Sequence, residues 1–152
     1  MPDLFTHLAT ARLPAAFVRD PRIAALVVIG TFLPDLTSKG FYWVLKCTPN
    51  FEVPTHSLVG VTLISYAASL FLEERLRRAA FPALLAGGVL HVLVDLLKDN
   101  MGVGSCRLFY PFSPRSYELG LIDPVDVIYL VPIDLILLWV AGAIERSRRV
   151  RG

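Results

Sequence analysis

Cysteine is nearly absent from this chain: Cys47 and Cys106 are its only two, and they form no Cys-x-x-Cys spacing. That speaks against a thiolate metal site and leaves open one disulfide in an oxidising compartment or two free thiols. Charge is also sparse, with 18% charged residues against 55% hydrophobic, which excludes an ordinary soluble domain. No continuous basic face or recognition motif is present, so a nucleic-acid binder is excluded as well. The opening Met1-Pro2-Asp3 lacks a basic region and no small-residue cleavage site follows, so no cleavable signal peptide is expected. Histidine numbers only three, His7, His56 and His91.

What is abundant is apolar sequence in long runs. Ser57 to Leu72, Ala80 to Leu97 and Leu121 to Ile144 each approach the roughly 20 residues that cross a hydrocarbon core of about 30 Å. These three are expected to span a membrane. The N-terminal runs Leu4 to Val18 and Ile23 to Leu33 are shorter and broken by Arg12, Pro14 and the turn-forming Arg19-Asp20-Pro21-Arg22. They read as a short helical hairpin, re-entrant or partly embedded. The expected fold is thus all-α, a polytopic membrane bundle of four to five helices forming one domain over residues 1–152.

The sparse charges carry topology. With the hairpin turn on the cytoplasmic side, Arg12, Arg19, Arg22, Arg75, Arg77, Arg78, Arg146, Arg148, Arg149 and Arg151 lie inside, and Lys39, Lys46, Lys98, Arg107 and Arg115 outside. That satisfies the positive-inside bias of a multi-pass protein in a prokaryotic cytoplasmic membrane. A single N-terminal span gives the same division, so charge alone does not choose between them. A weak internal echo favours the hairpin. Thr6-His7 opens the first apolar stretch and Leu33-Pro34-Asp35-Leu36 closes the second; Thr55-His56 opens the third and Leu93-Val94-Asp95-Leu96 closes the fourth. Two hairpins entering from one side bring His7, Asp35, His56 and Asp95 to one level, predicted at the outer face.

His91 and Asp95 are the sharpest pair. Four residues apart, they share a helix face about 6 Å along its axis. An unpaired ionisable group at that depth costs at least about 2.5 kcal/mol and marks a functional site. Three imidazoles with Asp35 and Asp95 make a mixed nitrogen and oxygen donor set suited to a divalent metal, Zn²⁺ first, with Mn²⁺ or Fe²⁺ open. The competing reading is a His–Asp cluster that glues helices together or relays ions.

Taken in order, Thr6-His7, the Gly30-Thr31-Phe32-Leu33-Pro34-Asp35-Leu36 run, Thr55-His56-Ser57, His91-x-x-x-Asp95 and Tyr110-Pro111-Phe112 resemble the YdjM-type membrane-bound metal-dependent hydrolase family. The resemblance covers about residues 3 to 115. It implies that His7, Asp35, His56, His91 and Asp95 are the metal-site residues and that the reaction is a hydrolysis. The chain departs from the family pattern at three places. Thr37 stands where an acidic residue often follows, Phe51-Glu52-Val53-Pro54 replaces a basic stretch, and Tyr110 replaces a tryptophan.

The remaining polar residues divide into site candidates and boundary markers. Asp99, one turn beyond Asp95, is a candidate general base. Lys98 to Gly120, rich in Gly, Pro, Ser and aromatics, is expected to cover the outer mouth of the bundle. There Lys98 and Arg115 would hold an anionic group, and Phe109, Tyr110, Phe112 and Tyr117 would meet acyl chains or form an aromatic belt; Phe41-Tyr42-Trp43 invites the same reading. Asp126 is a candidate outer partner of the site. Asp134, reckoned about 20 Å into the last span, is expected to bond a neighbouring helix, and Asp3 to cap the first helix. The expected function is hydrolysis of an ester or phosphoester of an amphiphilic, lipid-like substrate through a metal-activated water. A non-enzymatic ion carrier or structural bundle is the alternative.

Overall fold

The computed structural model describes residues 4–45, 52–99, 106–123 and 126–151. Six helices follow in order: α1 (Leu4–Ala15), α2 (Pro21–Leu45), a single turn α3 (Glu52–Thr55), α4 (Leu58–Leu70), α5 (Glu74–Leu96) and α6 (Val131–Arg151), the last preceded by a 3-10 turn at Asp126–Leu130. Among the described residues there is no strand, only two isolated bridges. Cys47, Asp3 and Lys46 lie outside the described residues, as do the side chains of residues 41–45.

The expected N-terminal hairpin is present, and its turn is built by the residues that broke the pattern. Asp20 caps α2, its Oδ1 accepting from the Arg22 N–H at 2.8 Å and its carbonyl from Ala24 at 2.9 Å. Pro21 then occupies the first helical position, where its missing N–H costs nothing. The two arms are unequal, 12 residues in α1 and 25 in α2. Here the expectation is corrected: Leu33-Pro34-Asp35 does not end the second helix, which continues to Leu45. Pro34 removes one intrahelical bond. Beyond it the Thr37 hydroxyl donates to the Leu33 carbonyl, Ser38 Oγ to the Asp35 carbonyl at 3.0 Å, and Lys39 pairs with Asp35 one turn back. Polar residues that read as a boundary are folded onto the helix itself.

Two further expectations change. Of Ser57 to Leu72, only Leu58–Leu70 is α-helical, about 20 Å of axis and short of a full crossing. Its start is set by Ser57, whose Oγ accepts from the Gly60 N–H at 3.0 Å. The last helix begins ten residues later than Leu121, with Pro132 in its first turn, and runs through the arginines of the tail. The helices long and apolar enough to cross a membrane are therefore Pro21–Gly40, Glu74–Leu96 and Ile128–Arg148.

The most extensive contact joins α2 to α5, and small residues make it possible. A Cβ on Gly30 would lie 2.2 Å from the Leu84 carbonyl oxygen, and one on Gly87 would lie 2.0 Å from that of Val27. Only glycine allows backbones this close, the usual device of helices packing in lipid. Thr31, fully buried, donates its hydroxyl to the Gly87 and Val27 carbonyls at 3.2 and 3.3 Å. Ala15, Leu26, Val27, Ala80, Ala83 and Leu84 fill the space beside the crossing. Helix α4 packs on α5, while α6 leans on α1 and leaves Leu135, Ile136 and Trp139 exposed, as a lipid-facing helix would.

Candidate metal centre

Four elements converge at the end of the bundle where α5 finishes. His7 comes from α1, Asp35 from α2, His56 from the turn between α3 and α4, and His91 with Asp95 from α5. The two hairpins exchange partners. His7 Nε2 lies 3.3 Å from Asp95 Oδ1, and His56 Nε2 lies 3.4 Å from Asp35 Oδ1, so each histidine of one hairpin meets the aspartate of the other. His91 joins both: its Nε2 is 3.1 Å from Asp95 Oδ2 and 3.9 Å from Asp35 Oδ1, and its ring stacks on His7 with centroids 4.1 Å apart. His56 Nε2 is 3.8 Å from Asp95 Oδ2. Two groups close enough to share an ion result, His7/His91/Asp95 and Asp35/His56/His91, meeting at His91.

The donor atoms are presented, not merely near. Thr55 Oγ1 sits 3.0 Å from His56 Nδ1 and turns Nε2 towards the aspartates. Lys39 Nζ, 2.7 Å from Asp35 Oδ2, takes that oxygen and leaves Oδ1 facing the imidazoles. His7 and His91 are 1% exposed; their Nε2 atoms face Asp95, and their Nδ1 atoms have no hydrogen-bond partner among the described residues. Leaving a buried polar group unsatisfied costs about 1–3 kcal/mol. Bonds of about 2.0–2.2 Å to one ion would set tetrahedral donors about 3.3–3.6 Å apart. The N···O separations run from 3.1 to 3.9 Å. The residues could hold a metal ion.

The echo between the halves is imperfect in an informative way. Asp35 and Asp95 correspond, and the residue four positions earlier is Thr31 in one half and His91 in the other. Thr31 serves the α2–α5 crossing, while His91 serves the cluster. Asp134 is buried as expected but sits in the first turn of α6, where Oδ2 accepts from Thr6 Oγ1 at 2.8 Å. It holds α1 beside the cluster instead of lying deep below it.

Several expected partners stay outside. Asp99 belongs to neither group; its N–H donates to the Ile122 carbonyl at 2.9 Å. Asp126 is exposed in the 3-10 turn. Residues 106–123 do fold over this end: Leu58 N–H donates to the Leu108 carbonyl, and Leu119 N–H to the Leu96 carbonyl at 2.7 Å. Cys106 is buried beneath them as a free thiol, pushed up to about 12 by burial first and by the charges of Asp95 and Glu118. Arg115 stacks over the Tyr117 ring, 5.6 Å from its centroid, and Phe112 is exposed. Lys39 is the site residue that sequence reasoning missed. Its i,i+4 spacing from Asp35 would have found it had the helix been carried past Pro34.

A family model described as YdjM inner membrane protein matches residues 1–150 of the chain, beyond the stretch that carried the motifs. No curated protein and no solved structure matches it.

Proposed function

Because this chain belongs to the YdjM inner membrane protein family, we propose that its cluster is a divalent-metal centre, zinc first, in a multi-pass membrane hydrolase. The observation that carries this reading is the convergence of five donor residues from four elements in two groups that share His91. A carrier would spread polar groups along a pathway. Here the titratable groups gather at one level, and the arginine-rich segments lie at the other end of α1, α5 and α6. By the positive-inside bias the cluster faces outward.

His7, Asp35, His56, His91 and Asp95 would hold or orient the ion, which supplies Lewis acidity and an acidified water. Among the described residues of the cluster, the Lys39 and His56 side is the more exposed. Lys39 is 34% exposed in its side chain and His56 is 13%, whereas His7 and His91 are sealed. Substrate therefore approaches past α2 and the start of α4, where the Lys39 ammonium meets the negative charge of a phosphoryl or acyl oxygen. Asp35, with Oδ1 toward the imidazoles and Oδ2 on Lys39, would help hold the ion and fix Lys39 at the opening. Asp99, one turn beyond Asp95, remains the proposed general base and lies outside the two donor groups. The site's level near the bundle end suits an ester or phosphoester of an amphiphile.

The test is hydrolysis of a short-chain phosphodiester or carboxyl ester in mixed micelles by purified full-length protein. Activity lost on chelation, restored by Zn²⁺ and absent in Asp35→Asn supports the reading. Turnover indifferent to chelator and to Asp35→Asn would sink it.

A further inference from the structure

The end of the bundle opposite the cluster carries a second constellation that the proposed chemistry does not use. Helices α1, α2 and α6 form an open cavity of about 610 Å³ there, and Arg12, Arg19 and Arg148 line it against a single carboxylate, Glu145. Arg12 Nη2 is 2.7 Å from Glu145 Oε1, so that pair is matched. Arg148 is anchored by one nitrogen, Nη1 donating to the Ala16 carbonyl at 2.9 Å, and Arg19 makes no ion pair among the described residues. Two guanidiniums in the lining are thus left without a carboxylate.

An apolar groove of about 600 Å³ adjoins this cavity, and Val18 lines both. The groove runs between α1, α2 and α5 past Val27, Leu85 and Val89, from Pro82 to Leu93. That is about 16 Å of helix axis, near half of a hydrocarbon core of about 30 Å, the depth of one leaflet. Cationic forks at the interface and an apolar channel one leaflet deep match the two ends of a single molecule. Arginine binds phosphate through paired N–H donors, and basic pockets between membrane helices take anionic headgroups.

We propose that this cavity and groove together bind one anionic phospholipid, its phosphate on Arg19 and Arg148 and an acyl chain along Val27, Leu85 and Val89. The lipid would join α1, α2, α5 and α6 beside the Arg12–Glu145 and Arg148–Ala16 contacts that tie α6 to α1. Its phosphate oxyanion is shared with free phosphate, and the groove assigns the lipid.

The experiment is native mass spectrometry and thermal unfolding of the full-length protein in neutral detergent. Titrants are phosphatidylglycerol, phosphatidylcholine and inorganic phosphate. One phosphatidylglycerol should bind per chain and raise Tm, with phosphatidylcholine and phosphate having little effect. Arg19→Gln, at an exposed side chain, should weaken binding about 5-fold, and Arg19→Gln with Arg148→Gln about 30-fold, the strength of one and two interfacial basic residues. Val89→Trp, which blocks the groove, should lower affinity with the arginines intact. Equal binding of phosphatidylcholine, full competition by inorganic phosphate, or an Arg19→Gln protein that binds like wild type would overturn the proposal. If the double variant fails to fold, Arg19→Gln and Val89→Trp decide.

Discussion

Replacing Gly87 by alanine tests the packing that sets the cluster's geometry. In an exposed helix the change would stabilise by about 1 kcal/mol through helix propensity. At Gly87 the new Cβ would meet the Val27 carbonyl oxygen at 2.0 Å and the Thr31 nitrogen at 2.7 Å, both backbone atoms that no rotamer can move. Helices α2 and α5 must part by roughly 1 Å to reach ordinary contact, an overpacking cost of about 1–3 kcal/mol. The Thr31 to Gly87 hydrogen bond, 3.2 Å long, is lost in the same movement. Asp35 travels with α2 and His91 with α5, so the 3.9 Å between them widens. Gly40 supplies the control, because a Cβ there meets nothing within 4 Å. Thermal unfolding in detergent should show Gly87→Ala lowering Tm by roughly 2–12 °C and Gly40→Ala leaving it level or higher. A Gly87→Ala protein as stable as wild type, with unchanged metal content, would refute the close crossing as the device that positions the site.

Asp134→Ala should lower stability by about 1–3 kcal/mol, because the buried Thr6 hydroxyl loses its acceptor, while Asp134→Asn should keep most of it; unfolding in detergent reads both. Cys106, buried and with its thiol pushed up to about 12, should resist maleimide at pH 7.5 until the protein unfolds. Its raised value keeps the proton on in the folded state. The stability this contributes is therefore complete below the ordinary thiol range near 9 and is lost as pH rises towards 12, a trend that Cys106→Ala should flatten in unfolding measured from pH 8 to 11.

Legibility in the sequence followed the physics of each signal. Apolar run length announced a membrane bundle, and Asp20-Pro21 announced the hairpin turn, because capping chemistry is local. The level of His7, Asp35, His56 and Asp95 followed from the echo of Thr-His and Leu-x-Asp-Leu. Which histidine faces which aspartate did not follow. That pairing depends on how α2 crosses α5, and the crossing is fixed by Gly30 and Gly87, whose close approach leaves no periodic mark in sequence. Pro34 misled in the opposite direction. A proline after an apolar run reads as an end, yet Thr37, Ser38 and Lys39 bond back along α2 and carry it three turns further, hiding Lys39 from view. The last helix was misplaced because apolar residues from Leu121 onward counted towards a span although Leu121 and Ile122 bond to Leu97 as extended chain.

If groups on separate helices hold one ion, removing either must release it. Elemental analysis of detergent-purified full-length protein, beside His56→Ala and His91→Ala, tests this most directly. A shared centre predicts stoichiometric divalent metal in the wild type and its loss in both variants, although one residue lies before α4 and the other within α5. A wild type without stoichiometric metal, or metal unchanged in both folded variants, would contradict it.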